Sequence, residues 1–410
     1  MKYLFFLILS ILCISCDNTE GKHENTKQNY EEFSYNGDYD KKFDRKIELS
    51  LNDSLSMDTP PTSPNLYFDS YIYNDSLFFG INPPNNIDVY NLNSKLFIKN
   101  IEIPEHILKG DLQNIYVKSF DSIYATNYFP PIIYHLNYDG MVVNKIAGDV
   151  LKLNIQNERV PLNEVNYRFP FYLTYQKPQV IDDKLYLVIE PIGSAKRDGF
   201  KKTQRIGVFD LHNSRWEKAI CEPKGLMSLD KTFFNQDLMN PYFIIVENKI
   251  YVTYPMSHYV YIYDLDGECI DHKLISFSKI KKMPNPLTGK ELNDRQKSWN
   301  FRIMTPFYGP LFYHQNLKIF SRVFHEEQDL YGADGLLNDG HNRSGYIIFF
   351  DNELNKIGEF EFENAKLGIG KVSPLSDGLL LGRSSKYWKN ENEFHQKYLF
   401  KIEQYNGLQN

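Results

Sequence analysis

One run constrains the fold more than any other, because it recurs: Tyr259-Val-Tyr-Ile-Tyr-Asp-Leu-Asp-Gly267. Alternation puts Tyr259, Tyr261 and Tyr263 on one strand face and Val260 and Ile262 on the other; neither set is polar, so the strand belongs to a sheet packed on both faces. The acidic turn that ends it closes on Gly267, which is free to take positive φ. Copies are Ile87-Asp-Val-Tyr-Asn-Leu-Asn-Ser94, Ile132-Ile-Tyr-His-Leu-Asn-Tyr-Asp-Gly140, Ile206-Gly-Val-Phe-Asp-Leu-His-Asn-Ser214 and Ile347-Ile-Phe-Phe-Asp-Asn-Glu-Leu-Asn355, with a weaker one at Tyr398-Leu-Phe-Lys-Ile402.

A polar turn followed at once by an apolar strand precedes each copy, starting at Asp75, Asp121, Asp183, Asn248, Gln315 and Asp377, in steps of 46, 62, 65, 67 and 62 residues. This is a repeat with variable insertions. The first unit divides into strands near 66–72, 76–81, 87–92 and 96–103, and later units span about 115–146, 177–221, 242–275, 311–362 and 370–403. Four antiparallel strands per unit make a propeller blade. The sixth unit has only three strands, and Phe43-Asp-Arg-Lys-Ile-Glu-Leu-Ser-Leu51 supplies the fourth, which would close the ring and cover an edge open to aggregation. The expectation is all-β: one six-bladed β-propeller over residues 41–405, closed by an N-terminal strand.

Residues 1–15 read as a secretory signal, with Lys2 as a minimal positive region, Tyr3 to Ile14 as an apolar core too short to span a bilayer, and Ser15 before Cys16. They resemble a bacterial lipoprotein signal, which implies acylation at Cys16; Cys13 stands where leucine is commonest in such signals. Residues 16–40 are polar, with almost no aliphatic side chains, and read as a flexible tether. The expected address is the cell envelope, anchored by lipid to the outer membrane and facing either the periplasm or the exterior. The expected partners are the membrane, through that lipid, and a glycan, peptide or protein.

The net charge of −6 becomes −7 once Lys2 leaves with the signal, which argues against nucleic acid. The aromatic share is 15%, with 30 Tyr and 29 Phe against 3 Trp, and suits strands. Of four cysteines, Cys221 and Cys269 remain for the folded domain, and both read as buried free thiols.

Connection lengths carry the functional expectation. Turns between first and second strands, and between third and fourth, are short. Long segments fall between blades, at 104–114, 147–176, 222–241 and 276–310, and between second and third strands, at 191–204, 325–344 and 384–396. In an antiparallel blade both long classes emerge on one face, which is where function is expected, around the channel mouth.

Arg322 and Arg383 end second strands of neighbouring blades, with Asn127, Glu190 and His258 at comparable places. Two converging arginines suit a carboxylate, sulfate or phosphate; the alternative is that they stitch blades together through neighbours such as Glu326. The 325–341 insertion holds Glu326, Glu327, Asp329, Asp334 and Asp339 between His325 and His341, without the spacing of a calcium loop or a zinc site. Aromatic clusters at 167–175, with Arg168 and Tyr172, and at 299–308, with Arg302, either stack on a ligand or lead into the next blade as core. The ligand-binding candidates are therefore Arg168, Tyr172, His258, Arg302, Arg322, His325 and Arg383. No catalytic residue can be assigned, and no metal or cofactor is expected, because no nucleophile elbow, phosphate-binding glycine loop or Cys-x-x-Cys is present.

The lipoprotein-like start, the Asp-Ser turns at Asp75 and Asp121, Tyr263-Asp-Leu-Asp-Gly267, and Leu317 to Arg322 followed by Tyr346-Ile-Ile-Phe-Phe-Asp351 together resemble the lipoprotein family called domain of unknown function 4221, itself similar to six-bladed TolB-like propellers. The resemblance covers roughly residues 40 to 405 and implies the fold without implying any ligand residue. Two functions fit these observations: an envelope binding or scaffold module using the long-loop face, or a propeller hydrolase or lyase with a cation or Arg/His site at the channel mouth. The first is favoured, because no nucleophile, base and orienter can be assembled.

Overall fold

The computed structural model describes residues 46–404, apart from 57–66, 68, 83, 129–130, 148–150, 154–164, 170–176, 192–202, 230–233, 281–282, 334, 339–342, 363–366 and 384–395. The signal, Cys16 and the tether lie outside the described residues.

Six four-stranded antiparallel sheets form the blades of a propeller. Blade four shows the plan: Tyr242–Val246 is innermost, then Lys249–Thr253 and Tyr259–Tyr263, with Cys269–Leu274 outermost. Blades one, two, three and five span 70–102, 112–147, 179–220 and 307–362. First strands of neighbouring blades touch, forming the inner ring. Blade six takes Leu367–Pro374, Gly378–Arg383 and Gln396–Gln404 from the C-terminal end of the chain, and Ile47–Ser56 as its outer strand. That strand pairs from Ile47 with Gln404 to Ser56 with Gln396, a few residues later than the sequence placed it. Ile47 is fully buried against blade five, where a Cβ on Gly358 would meet its Cγ1 at 2.7 Å.

The recurring motif has a local cause. The Asp or Asn that ends the third strand accepts backbone N–H groups of the following turn: Asp264 Oδ1 from Asp266 and Glu268 (3.0 and 2.9 Å), Asn137 from Asp139 and Met141 (3.1 and 2.9 Å), and Asp351 from Glu353 and Asn355 (2.9 and 2.8 Å). Asn91 and Asp210 act likewise in blades one and three. Gly267 sits at φ +93°, which a side chain would strain. In each of these five blades the third-to-fourth ladder slips at this same point, the mark of a β-bulge. The repeated acidic and amide residues are therefore turn-makers.

Core packing runs between blades as well as within them. Blades one and two share Phe79, Val89, Ile115, Val117 and Ile123. Blades six and one share Phe78, Tyr90, Leu375 and Leu380.

The long connections add structure on one face. The two-to-three connection and the end of blade three's second strand form a small three-stranded sheet, Leu151–Leu153, Val165–Arg168 and Glu190–Pro191. The four-to-five connection carries helices Gly289–Asn293 and Arg295–Met304; Thr288 and Glu291 form a capping box on the first, and Asp294 caps the second. Among the described residues no helix is long and apolar enough to cross a membrane.

Cys221 is buried as expected, but Cys269 is exposed. It opens an outer strand whose residues through Lys273 all face solvent, a position that the sequence pattern alone does not separate from a packed one.

Candidate functional site

Two polar constellations and one apolar rim occupy the region that the connection lengths point to. The first constellation lies where chains enter the inner ring. Asp69 immediately precedes the first strand of blade one, Ser70–Tyr73, and its Oδ2 accepts the Ile115 N–H of blade two at 3.0 Å. Lys177, just before blade three, donates to the Ser70 carbonyl, stands 3.6 Å from Asp69 Oδ1 and lies 5.3 Å from the centre of the Tyr71 ring. Burial pushes the Asp69 carboxyl up, and the charge of Lys177 opposes that shift. Gln179 makes the corresponding link from blade three to blade four, taking the Ile245 N–H at 2.9 Å and giving to the Phe243 carbonyl at 3.3 Å. Inner strands leave an edge of unpaired backbone groups, and these side chains satisfy it. Asp69 and Lys177 are not among the residues the sequence singles out; their only signal is a charged residue at the threshold of a first strand.

The second constellation joins blades four and five. Arg322, on the second strand of blade five, is fully buried and donates to the carbonyls of Tyr254 (2.9 Å) and Ser257 (3.2 Å), with its guanidinium 4.0 Å above the Tyr308 ring. The Tyr308 hydroxyl accepts the Phe277 N–H at 3.0 Å and meets His258 Nδ1 at 2.8 Å. Burial, with the positive charge of Arg322 behind it, holds His258 down to about 3, so its ring is neutral. Burial lowers Arg322 to about 10, and it stays protonated at neutral pH. Arg322 and His258 are thus brought together, but in a closed joint, and the partners of Arg322 are carbonyls of the neighbouring blade, not Glu326. Arg205, missed from the sequence, plays a similar part in blade three, giving to the Ile189 carbonyl (3.2 Å) and Asn240 Oδ1 (2.8 Å).

The remaining candidates scatter. His325 is buried and stacks on Phe307 at 4.4 Å; Arg343 lies over the other reach of that ring at 5.1 Å. Arg343 donates to the carbonyls of Ile303 (2.6 Å), Thr305 (2.7 Å), Glu326 (3.0 Å) and Arg302 (3.2 Å), closing the C-terminal end of helix Arg295–Met304 where carbonyls lack helical partners. Arg302 lies 5.3 Å from the Trp299 ring. Arg168 falls on the small extra sheet, paired with Glu190, and Arg383 ends a second strand, paired with Leu367; their side chains, like Tyr172 altogether, lie outside what is described. Of the aromatic clusters, Tyr167, Phe169 and Tyr308 are core.

The rim is what stays open. Trp299 is 46% exposed, Tyr331 59%, Leu336 68% and Leu337 50%, all in long connections of blades four and five. Gln328 ties the 325–344 connection to the helix through the Ile303 carbonyl at 3.3 Å, and Tyr331 bridges Leu337 across a small hairpin. Among the described residues no group of three or more His, Cys, Asp or Glu side chains could hold a metal ion.

These features define a six-bladed β-propeller with one trimmed and one elaborated face, whose buried polar residues join blades. Among solved structures it is similar to a member of the domain of unknown function 4221 family from Bacteroides vulgatus, at 13% identity and a TM-score of 0.64, covering 88% of this chain and 100% of that one. Two weaker likenesses are to a protein described as exported from Bacteroides fragilis (11% identity, TM-score 0.47, covering 88% of this chain and 96% of that one) and to BamB from Moraxella catarrhalis (9%, 0.35, covering 81% and 71%). No protein-family model and no curated protein matches the chain. At these identities the likeness is one of fold.

Proposed function

We propose that the chain is a lipid-anchored cell-envelope β-propeller that serves as a binding or scaffold module, presenting its long-connection face to a peptide or partner protein. The observation that carries this reading is the exposure of Leu336, Leu337, Tyr331 and Trp299 on that face. Large apolar side chains grouped on loops over a rigid ring are what a docking partner covers. Two aliphatic side chains among them favour a polypeptide over a sugar, which would stack on aromatic faces alone. The outer strand of blade six begins at Ile47 beside Gln404, the end where third strands of other blades enter their short turns, so an anchor there leaves the elaborated face unobstructed. The arginine and histidine on which a hydrolase or lyase reading leaned are buried in the blade four to five joint.

A panel of displayed peptides and a glycan panel test this against the chain and its L336S/L337S variant. Peptide binding that the variant weakens about tenfold, equivalent to about 1.4 kcal/mol, supports the reading. Glycan binding unaffected by the variant would overturn it. Separately, Cys16→Ser should move the protein out of the membrane fraction, and retention there would refute the anchor.

A further inference from the structure

The outer wall of the ring is unequal around its circumference. On blades six, one and two it exposes Leu51 (56%), Leu96 (55%), Ile98 (44%), Met141 (65%) and Val143 (59%). These side chains sit on, or one residue before, three consecutive outer strands: Ile47–Ser56, Phe97–Glu102 and Val142–Ala147. The three walls are continuous. Lys95 reaches Asp53 of the closing strand at 3.0 Å, and Lys99 donates to the Tyr138 carbonyl at 2.8 Å and lies 3.3 Å from Asp139. Exposed charge is present here as well, at Glu48, Glu102 and Lys145, so what sets this stretch apart is its five exposed large apolar side chains. The outer strands of blades three, four and five also expose charge, at Arg215, Glu217, Asp271, Lys273 and Glu361, but among their described residues Ile270 is the one large apolar side chain exposed.

Outer strands are sheet edges, and proteins ordinarily guard them with charge. Here the sector richest in exposed apolar side chains includes the strand that leads back to Cys16. Thirty residues separate Cys16 from Ile47 (17 to 46), which limits the wall to within about 100 Å of an anchor at Cys16. A lipid anchor on such a tether holds this wall at high effective concentration beside the bilayer, where a weak apolar contact becomes occupied.

We propose that the outer wall of blades six, one and two rests on the lipid surface to which the chain is anchored, seating the disc edge-on. This rests on the lipid-anchor reading above. Leu96, Ile98, Met141 and Val143 enter the headgroup boundary, and the paired lysines and carboxylates beside them suit zwitterionic headgroups better than anionic ones.

The test uses a chain starting at Asp17, which retains every strand of the six blades and lacks both signal and acyl group, with vesicles of phosphatidylethanolamine and phosphatidylcholine. Without the anchor the contact is weak, so a fraction that rises with lipid concentration should sediment with them. The M141S/V143S and L96S/I98S variants should partition about tenfold less, equivalent to about 1.4 kcal/mol, and L336S/L337S as the parent does. A tryptophan introduced as M141W should be quenched by brominated lipid while L336W is not, a readout that does not depend on destabilising variants. Equal partitioning of parent and wall variants, or quenching of L336W alone, overturns the proposal. So does a dimer in sedimentation analysis that the wall variants abolish, which assigns the wall to a second copy. Mass spectrometry of the envelope form decides the anchor independently: an unmodified Cys16 removes the lipid reading, and vesicle partitioning is read on its own.

Discussion

Two joints of the ring both have apolar packing and differ in the polar groups added to it. Blades six and one meet through Phe78, Tyr90, Leu375 and Leu380, all buried, with a Ser70 to Ser373 hydroxyl contact of 3.2 Å at the inner strands. Blades four and five share apolar core too, Tyr251 against Phe320 at 5.0 Å within it, and add buried Arg322, bonded to two carbonyls, over a His258–Tyr308 pair. An apolar joint gains stability from area and tolerates small slips. A buried arginine gains little net stability but leaves a large penalty whenever its partners move, so it fixes relative position. The elaborated rim grows from blades four and five, and the joint beneath it is the one held by directional bonds.

The largest expected effect opens the ring that holds both joints. Deleting residues 47–56 leaves the third strand of blade six as a bare edge and removes Ile47 from the blade five core. Cooperative thermal unfolding should be lost, and the protein should aggregate in light scattering. A melting transition equal to the parent's would show that closure lies elsewhere.

Next come the joints one by one. Arg322→Ala empties the space over the Tyr308 ring as well as stranding the Tyr254 and Ser257 carbonyls, and the cavity with the lost donors should cost about 2–5 kcal/mol. Leu380→Ala in the apolar joint should cost about 2–5 kcal/mol, set by how far the cavity collapses. Urea titration measures both. A cost below about 1 kcal/mol for Arg322→Ala would mean that the guanidinium is not the joint's fastener.

How much of this was readable beforehand follows from which interactions are local. The blade count, the strand pattern and the closing strand came from the sequence because hydrophobic alternation and Asx turns act within a few residues: Asp264 and Gly267 write their own turn. The small extra sheet was not legible, since strands of two to four residues carry no periodicity. Arg322 was legible as a polar residue in an apolar strand, but its partners sit on the preceding blade, more than 60 residues away in the chain. Asp69 and Lys177 meet across a separation of the same order. Cys269 was misplaced because exposure of an outer strand depends on which wall is covered.

A smaller effect separates sectors of the ring by pH. His258 in the blade four to five joint is held near 3, and His314, on blade five with its Nδ1 2.8 Å from the Leu375 carbonyl of blade six, near 4, against about 6.5 in an unfolded chain. The unfolded chain therefore takes up protons first as pH falls. Stability is flat above about pH 6.5 and drops by about 1.4 kcal/mol per pH unit for each histidine until its folded value is reached. At pH 5 the pair should cost about 4 kcal/mol relative to pH 7. Asp69 works in the opposite direction, because burial raises it and its protonation favours the native state at low pH. Hydrogen exchange should then show blades four, five and six opening before blades one and two. Uniform exchange around the ring at pH 5 would deny the histidines that role.

The smallest expected effect is the most discriminating. Arg322→Met keeps the length and stacking of the side chain over Tyr308 while removing the charge and its desolvation, so stability should change by no more than about 1 kcal/mol. The carbonyls of Tyr254 and Ser257 lose their donor, which offsets part of the gain from burying no charge. If Arg322 is only a joint, peptide binding to the rim in the methionine variant should match the parent, and the acid sensitivity of His258 should weaken because the cation that disfavours its protonation is gone. Loss of binding at unchanged stability would instead make the buried guanidinium part of what the elaborated face recognises. The contrast between the two joints would then be one between a seam and a site.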